Sequence, residues 1–302
     1  MKQVLSPKEL AQAIGVSESS LKRWADDGLL RATRTAGGHR RIPIAEAIRF
    51  VRQSQATLVR PEILGLPDVE AVSGHLPARD DEADTLFGFL REGAAREARG
   101  LVMSMYLSGR SVADICDGPI REALQQLGEL WRHDPQGIFI EHRATDICMQ
   151  AVNQLRTILI VPDNGPVAVG GAPAGDPYIV PSLMTAAVLA AEGFQAINLG
   201  ADTPAQTLRH AAEHHEARLV WLSATGVTDA ETLRAFIEAL ADELAHLNAS
   251  LVLGGRARNL AGPIDRTNVH IGASMAELVA FAKGLRLASG RTSTAPSNGQ
   301  HR

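Results

Sequence analysis

The sequence predicts a multidomain chain: a winged helix-turn-helix, α-helical with a small β wing, then a four-helix bundle, then an α/β doubly wound parallel sheet. Three observations predict it. Two short helices with capping signals, Ser6-Pro7 and Ser17, flank Gly15 and lead into a Gly37-Gly38 turn with basic residues on its return side. Apolar residues then recur at helical spacing from Leu86 to Leu155. Beyond Val167, short apolar runs alternate with helical stretches and no hairpin turns intervene, the pattern of parallel strands joined by crossover helices.

Size and composition bound the answer. A chain of 302 residues can form two or three domains, each with its own core. Its 45% hydrophobic and 21% charged residues are ordinary for a soluble globular protein. Cys116 and Cys148 stand apart from each other, which points to a reducing, cytoplasmic setting without a disulfide framework. The segment Met1 to Ala11 lacks the apolar stretch of a secretory leader, and Leu183 to Ala191 is too short to span a bilayer, so no membrane partner is expected. The net charge of −4 is unevenly spread: residues 1–60 carry +6 and the remainder −10. A basic head on an acidic body points to a polyanion as the partner of the head.

In the head, Ser6 can cap a helix that has Pro7 at its first position and Glu9 completing a capping box. Leu10, Ala13 and Ile14 share one face of it. Gly15 breaks this helix, and Ser17 caps a second one through Leu21 and Trp24 to about Asp27. From Gly28 to Ile42 a strand, a Gly37-Gly38 turn and a basic return strand form the wing. Pro43 opens a third helix from Ile44 to about Gln55, with Ala45, Ile48 and Val51 inward. Ile14, Leu21, Trp24, Ile42 and Ile44 form the expected core of this domain, residues 1–55. Residues 56–82, rich in Pro, Gly and charge, read as a linker.

The Leu21-Lys22-Arg23-Trp24 run and the glycine-turned basic hairpin make the head resemble the winged helix of the MerR family. That resemblance implies double-stranded operator DNA as partner. Ser19, Ser20, Lys22 and Arg23 would face the major groove, and Arg34, His39, Arg40 and Arg41 would clamp phosphates or the minor groove. No heptad run follows the head, so the coiled coil that pairs many members is not expected. A homo-oligomer, dimer or tetramer, would have to form elsewhere.

Residues 83–160 read as the four-helix bundle, with Leu86, Phe89 and Leu90, then Ala98, Leu101 and Met105, then Ile120, Leu124 and Leu127, then Ile147, Val152 and Leu155 on successive apolar faces. Trp131 read by itself is bundle core, and Glu141-His142 read by themselves are a solvated helix start. Residues 165–288 read as the Rossmann-like domain, with strands near Val167, Ala196, Leu219, Leu251 and Val269 and helices between them. Ligands of such sheets bind at the carboxyl ends of the strands. The loop Gly171 to Pro181, Ser223-Ala224-Thr225 and Gly254-Gly255 all fall there. Glycines 254 and 255 would admit a large group, and Ser223 and Thr225 would offer hydroxyls. A plain turn at Gly254-Gly255, a cap at Ser223 and an N-cap at Asp176 are the structural alternatives. His210, His214 and His215 read as the surface of an exterior helix, and 289–302 as a disordered tail.

Asp176-Pro177-Tyr178-Ile179-Val180-Pro181 stands in register with the Asp-x-His-x-x-Gly of cobalamin-binding domains. Forty-one residues separate Pro181 from Ser223, and 28 separate Thr225 from Gly254, as in that signature. Together with Trp131 and, after nine residues, Glu141-His142, this makes the chain resemble light-sensing cobalamin repressors of the CarH type. The resemblance implies adenosylcobalamin as cofactor and light as a signal. Trp131 would shield the adenosyl group, Glu141 and His142 would line its pocket, and Asp176, Ser223, Thr225, Gly254 and Gly255 would surround the corrin and its buried nucleotide tail.

Three positions depart from the pattern. Tyr178 replaces the cobalt-ligating histidine, Pro181 replaces the glycine that lets the loop approach the corrin, and Arg132 stands where a second cobalt-binding histidine can follow the tryptophan, with His133 one place on. Metal candidates are therefore His133, His142 or Tyr178. A phenol is a poor cobalt ligand, although tyrosinate can bind ferric haem. Three readings stay open: cobalamin held without a histidine below it, another ligand (haem, another tetrapyrrole or a small apolar molecule), or a dimerisation domain without ligand. The head makes the chain a one-component transcriptional regulator, read as a repressor and not an enzyme. The rivals are a corrinoid carrier of a methyltransferase or mutase, which has no use for a winged helix, and an architectural DNA-binding protein with a vestigial sensor.

Overall fold

The computed structural model describes residues 4–72, 76–130 and 137–292. They fall into two compact units that divide between Ile160 and Val161.

The first unit begins with β1 (Val4–Leu5), α1 (Pro7–Ile14), α2 (Glu18–Asp26), β2 (Thr33–Arg34), β3 (Arg40–Pro43) and α3 (Ile44–Ser54). The capping box of α1 is present: the Ser6 amide donates to Glu9 Oε2 at 2.8 Å and the Glu9 amide to Ser6 Oγ at 3.3 Å. Gly15 ends the helix at φ +69°, the left-handed region that favours glycine. Ser17 caps α2 by accepting from the Ser20 amide at 3.2 Å. The small sheet has the order β1-β3-β2, antiparallel throughout. Leu10, Ala13, Ile14, Leu21, Leu30, Ile42, Ile48 and Val51 are buried between these elements. Trp24 is half-buried, its ring 5.3 Å from that of Phe50.

Residues 56–82 depart from the linker expectation. They form 3-10 turns at Pro61–Leu64, Pro67–Val72 and Arg79–Asp81, and Leu64, Leu66, Val69 and Val72 are buried. Val59 and Arg60 both donate their amides to Ala13 O, at 2.8 and 3.1 Å, which ties the segment to α1. A 3-10 turn repeats every three residues, so its apolar positions match neither helical nor strand spacing.

The helices that follow are α4 (Glu82–Glu92), α5 (Ala95–Leu107), α6 (Val112–Ile115), α7 (Arg121–Leu130) and α8 (Gly137–Ile158), with a π turn at Cys116–Ile120 between α6 and α7. α4 packs on α5, α7 and α8, and α8 packs on α5 and α7. Gly100 of α5 makes room for the turn at 67–72: a Cβ there would lie 2.1 Å from Asp68 O. α3 packs on α5 and α8, and Arg52 of α3 stacks over Tyr106 with 4.1 Å to the ring centre and donates to Gly109 O at 3.0 Å. The head and these helices are joined by packed side chains.

The second unit holds five parallel strands: β4 (Val167–Gly171), β5 (Gln195–Asn198), β6 (Leu219–Ser223), β7 (Ser250–Gly254) and β8 (Val269–Ile271), in the order β5-β4-β6-β7-β8. Its helices are α9 (Val180–Ala191), α10 (Ala205–His214), α11 (Ala230–His246) and α12 (Met275–Thr292). Val169, Val220, Leu222, Leu251 and Leu253 form one core with Leu208 of α10 and Leu233, Ile237 and Leu240 of α11. On the opposite face α9 packs against β4, β5 and β6, and α12 against α9. The chain leaves β4 toward β5 on one side and returns to β6 on the other. The carboxyl ends of β4 and β6 therefore form the switch point of this sheet.

Candidate functional site

Two sites follow from these folds, one in each unit. The first lies on the head. Leu21 turns one face of α2 into the core and leaves Ser19, Lys22 and Arg23 exposed. The hydroxyls of Ser19 and Ser20 lie 2.8 and 2.9 Å from Ser17 Oγ, at the amino end of the helix where backbone N–H groups point outward. β2 and β3 are joined by a turn in which Gly38 (φ +77°) donates to Thr35 O at 2.8 Å. A groove of about 440 Å³ between α1, α2 and this hairpin is lined by Lys8, Lys22, Arg34, His39, Arg40 and Arg41, with Glu18 and Asp26 on its α2 side. Lys22 pairs with Glu18 at 2.9 Å, whereas no ion-pair partner stands beside Arg23, Arg34 or Arg41 among the described residues.

Arg40, which also lines this groove, is engaged within the head. Its guanidinium donates to Lys22 O at 2.9 Å and pairs with Asp26, so it holds the hairpin against α2. Beneath the hairpin, buried Glu46 accepts the Arg31 amide at 2.8 Å and Arg49 Nε at 2.7 Å. Burial works to raise the Glu46 pKa, but the bonds from Arg49 and Arg31 outweigh it and hold the carboxyl below its ordinary value.

The second site is the carboxyl end of the large sheet. Asp176 is fully buried, and its carboxylate accepts the amides of Tyr178 at 3.0 Å, Thr225 at 2.6 Å and Gly226 at 2.9 Å. It closes the loop after β4 onto the end of β6, a role neither an N-cap nor a ligand contact describes. Gly255 takes φ +91° and a Cβ there would lie 2.1 Å from Ala224 O, so this crossing requires glycine. Gly254 faces open space, Ser223 is buried, and Thr225 Oγ1 is buried without a hydrogen-bond partner.

Tyr178 is 39% exposed. Its ring covers Gly226, where a Cβ would come within 2.9 Å of it, and Arg256 stands over it at 5.7 Å. The loop thus presents a phenol beside Gly226 and Arg256 where an imidazole would be needed, so the residues present do not fit a corrinoid held by an imidazole from this loop. Glu141, half-buried, and His142, exposed, sit at the start of α8 in the first unit, apart in chain and unit from the strand ends. Trp131, Arg132 and His133 lie outside the described residues. Among the described residues no group of three His, Cys, Asp or Glu is placed to hold a metal ion. His210, His214 and His215 are exposed on α10 and its end. Among the described residues no helix is long and apolar enough to cross a membrane.

Two features escaped the sequence reading. β1 is only two residues long and shows no periodicity, yet it completes the head's sheet by pairing with Ile42 and Pro43. Trp221, in the middle of an apolar run, carries a polar contact: its Nε1 donates to Ser182 Oγ of α9 at 2.9 Å.

Comparison with known proteins places these observations. Residues 6–42 match the model of the MerR family regulatory protein. The HTH-type transcriptional repressor CarA of Myxococcus xanthus is 28% identical over 291 residues, 94% of this chain and 98% of that protein. The solved structure of the monomethylamine corrinoid protein of Methanosarcina barkeri matches with a TM-score of 0.54 at 17% identity, covering 70% of this chain and 100% of that one. The chain is thus a transcriptional regulator whose head matches the MerR model over residues 6–42 and which shares the fold of a corrinoid protein over 70% of its length.

Proposed function

We propose that this regulator is a repressor that grips duplex operator DNA through α2 and the β2–β3 wing, and that copies assemble through regions beyond the head into a dimer or tetramer. The carrying observation is the groove of Lys8, Lys22, Arg34, His39 and Arg41 beside the amino end of α2. Cations flanking a helix amino end supply the phosphate contacts that position such a helix on DNA. In this reading Ser19, Ser20, Lys22 and Arg23 meet base edges, Arg34, His39 and Arg41 meet phosphates, and Arg40 positions the wing. α4, α5, α7 and α8 act as a four-helix bundle that carries changes between assembly and head, through contacts such as Arg52 on Tyr106. A corrinoid carrier of a methyltransferase has no use for such a groove. The cytoplasm is the expected setting.

The test is recovery of duplexes from a random pool by the full chain, followed by placement of the recovered site before a reporter gene. A shared two-fold site and lowered expression are expected. Recovery without sequence preference would reduce the chain to an architectural protein.

A second reading concerns ligand control. The partnerless Thr225 hydroxyl and the open space at Gly254 support a ligand at the strand ends. A tetrapyrrole there, corrinoid or haem, would lack an imidazole from the 173–181 loop. Such a ligand shifts DNA binding only if it binds the assembled and free chains unequally. Titration of the full chain with cobalamin and with haemin, followed by absorption, tests it; an unchanged spectrum with both leaves the assembly unregulated by this class.

A further inference from the structure

We infer that Trp221 fills the space in which a domain of this fold would bury the nucleotide tail of cobalamin, so that this chain accepts no cobalamin with its tail inserted. Trp221 and Ser223 alternate along β6 and so share one face, opposite to Val220, Leu222 and Ala224 in the α10–α11 core. That face looks toward α9. The indole is 1% exposed and its Nε1 donates to Ser182 Oγ at 2.9 Å. Ser182, buried, donates in turn to Asn198 Oδ1 at 2.7 Å, which also accepts the Gly200 amide at 3.2 Å.

The indole also reaches sideways across the sheet. A Cβ at Gly170 of β4 would lie 2.2 Å from the ring, so glycine on β4 is what seats it. β4, β6, β5 and α9 are thereby zipped together by one side chain and a three-member hydrogen-bond chain. A benzimidazole base is a planar bicycle about the size of an indole, and interiors at crystal-like density hold one or the other. Swinging the indole out would strip Ser182 of a buried donor. The loop above offers no compensation, because Asp176 is already committed to three amides and Pro181 gives no N–H.

This inference rests on the cobalamin-like fold of the second unit and not on the DNA-binding reading. Its test uses the full chain and two probes. Wild-type protein is dialysed in the dark against adenosylcobalamin, and its visible spectrum and Tm are recorded. The expected result is no retained cofactor with benzimidazole released from cobalt and no shift in Tm. The Trp221→Gly variant is then heated with and without dimethylbenzimidazole. The variant is expected to melt lower than wild type and to regain Tm as the free base is added, because a planar base refills the vacated space and binding favours the folded state. Wild-type protein that retains cobalamin with the benzimidazole band shifted to the released form overturns the inference. So does a folded Trp221→Gly that ignores the base. Operator binding measured on the same preparations separates failure of this inference from failure of the regulator reading.

Discussion

Asp176 and Thr225, 49 positions apart, are joined by a 2.6 Å hydrogen bond from the Thr225 amide to a fully buried carboxylate. The same carboxylate serves Tyr178 and Gly226, so one side chain fixes both loops at the switch point. Asp176→Ala would leave three amides without this acceptor and should cost roughly 2–5 kcal/mol, a buried unsatisfied donor costing about 1–3. Asp176→Asn, which keeps an acceptor oxygen, should cost less. Urea unfolding of the full chain checks the order; equal stability of all three proteins would show that the loops are held by other contacts.

Acidity should weaken the head through Glu46. Its folded pKa lies below the ordinary value, so its stabilising contribution is fully present above about pH 4.3 and is lost as pH falls through the lower folded value. Glu46→Gln should lower stability at neutral pH and flatten the acid limb of the stability profile. A limb that keeps its steepness in the variant would assign acid sensitivity to other carboxylates.

Both thiols should be silent in the native protein. Cys116 and Cys148 are buried, and burial pushes the Cys148 thiol up to about 12 and that of Cys116 higher still. A thiol reagent should modify neither at neutral pH until denaturant is added. Rapid native labelling of either would mean that the helices around them open readily.

Gly100→Ala should destabilise the first unit by about 1–3 kcal/mol, since a methyl meets the Asp68 carbonyl head-on. A neutral effect in thermal unfolding would contradict the packed turn at Pro67–Val72. This turn marks where the sequence became hard to read. Ser6, Glu9, Ser17 and Gly15 announce their helices through local rules, and the alternating apolar runs announce the parallel sheet. The turns of 61–72 obey a period of three with Pro and Gly throughout, so they resemble a spacer until α5 is seen to cover them.

The sites divide in the same way. The basic residues of α2 and the wing were legible as a set, but the commitment of Arg40 to Lys22 O and Asp26 depends on how the hairpin folds back, 14 positions from its partner. Tyr178 was visible as a missing imidazole. That its ring meets Gly226 and Arg256, and that Trp221 crosses to Gly170, are contacts between strands and loops far apart in sequence. Spacing can set such residues in register without saying which way a ring turns.

The most direct test of the regulator is the salt dependence of binding to the recovered duplex, measured for wild type and for Arg34→Ala with Arg41→Ala. Each lost phosphate contact should reduce the slope of log K against log salt by about 0.9, so the double variant should bind more weakly with a slope shallower by about 1.8. An unchanged slope and affinity would contradict the assignment of this face to DNA.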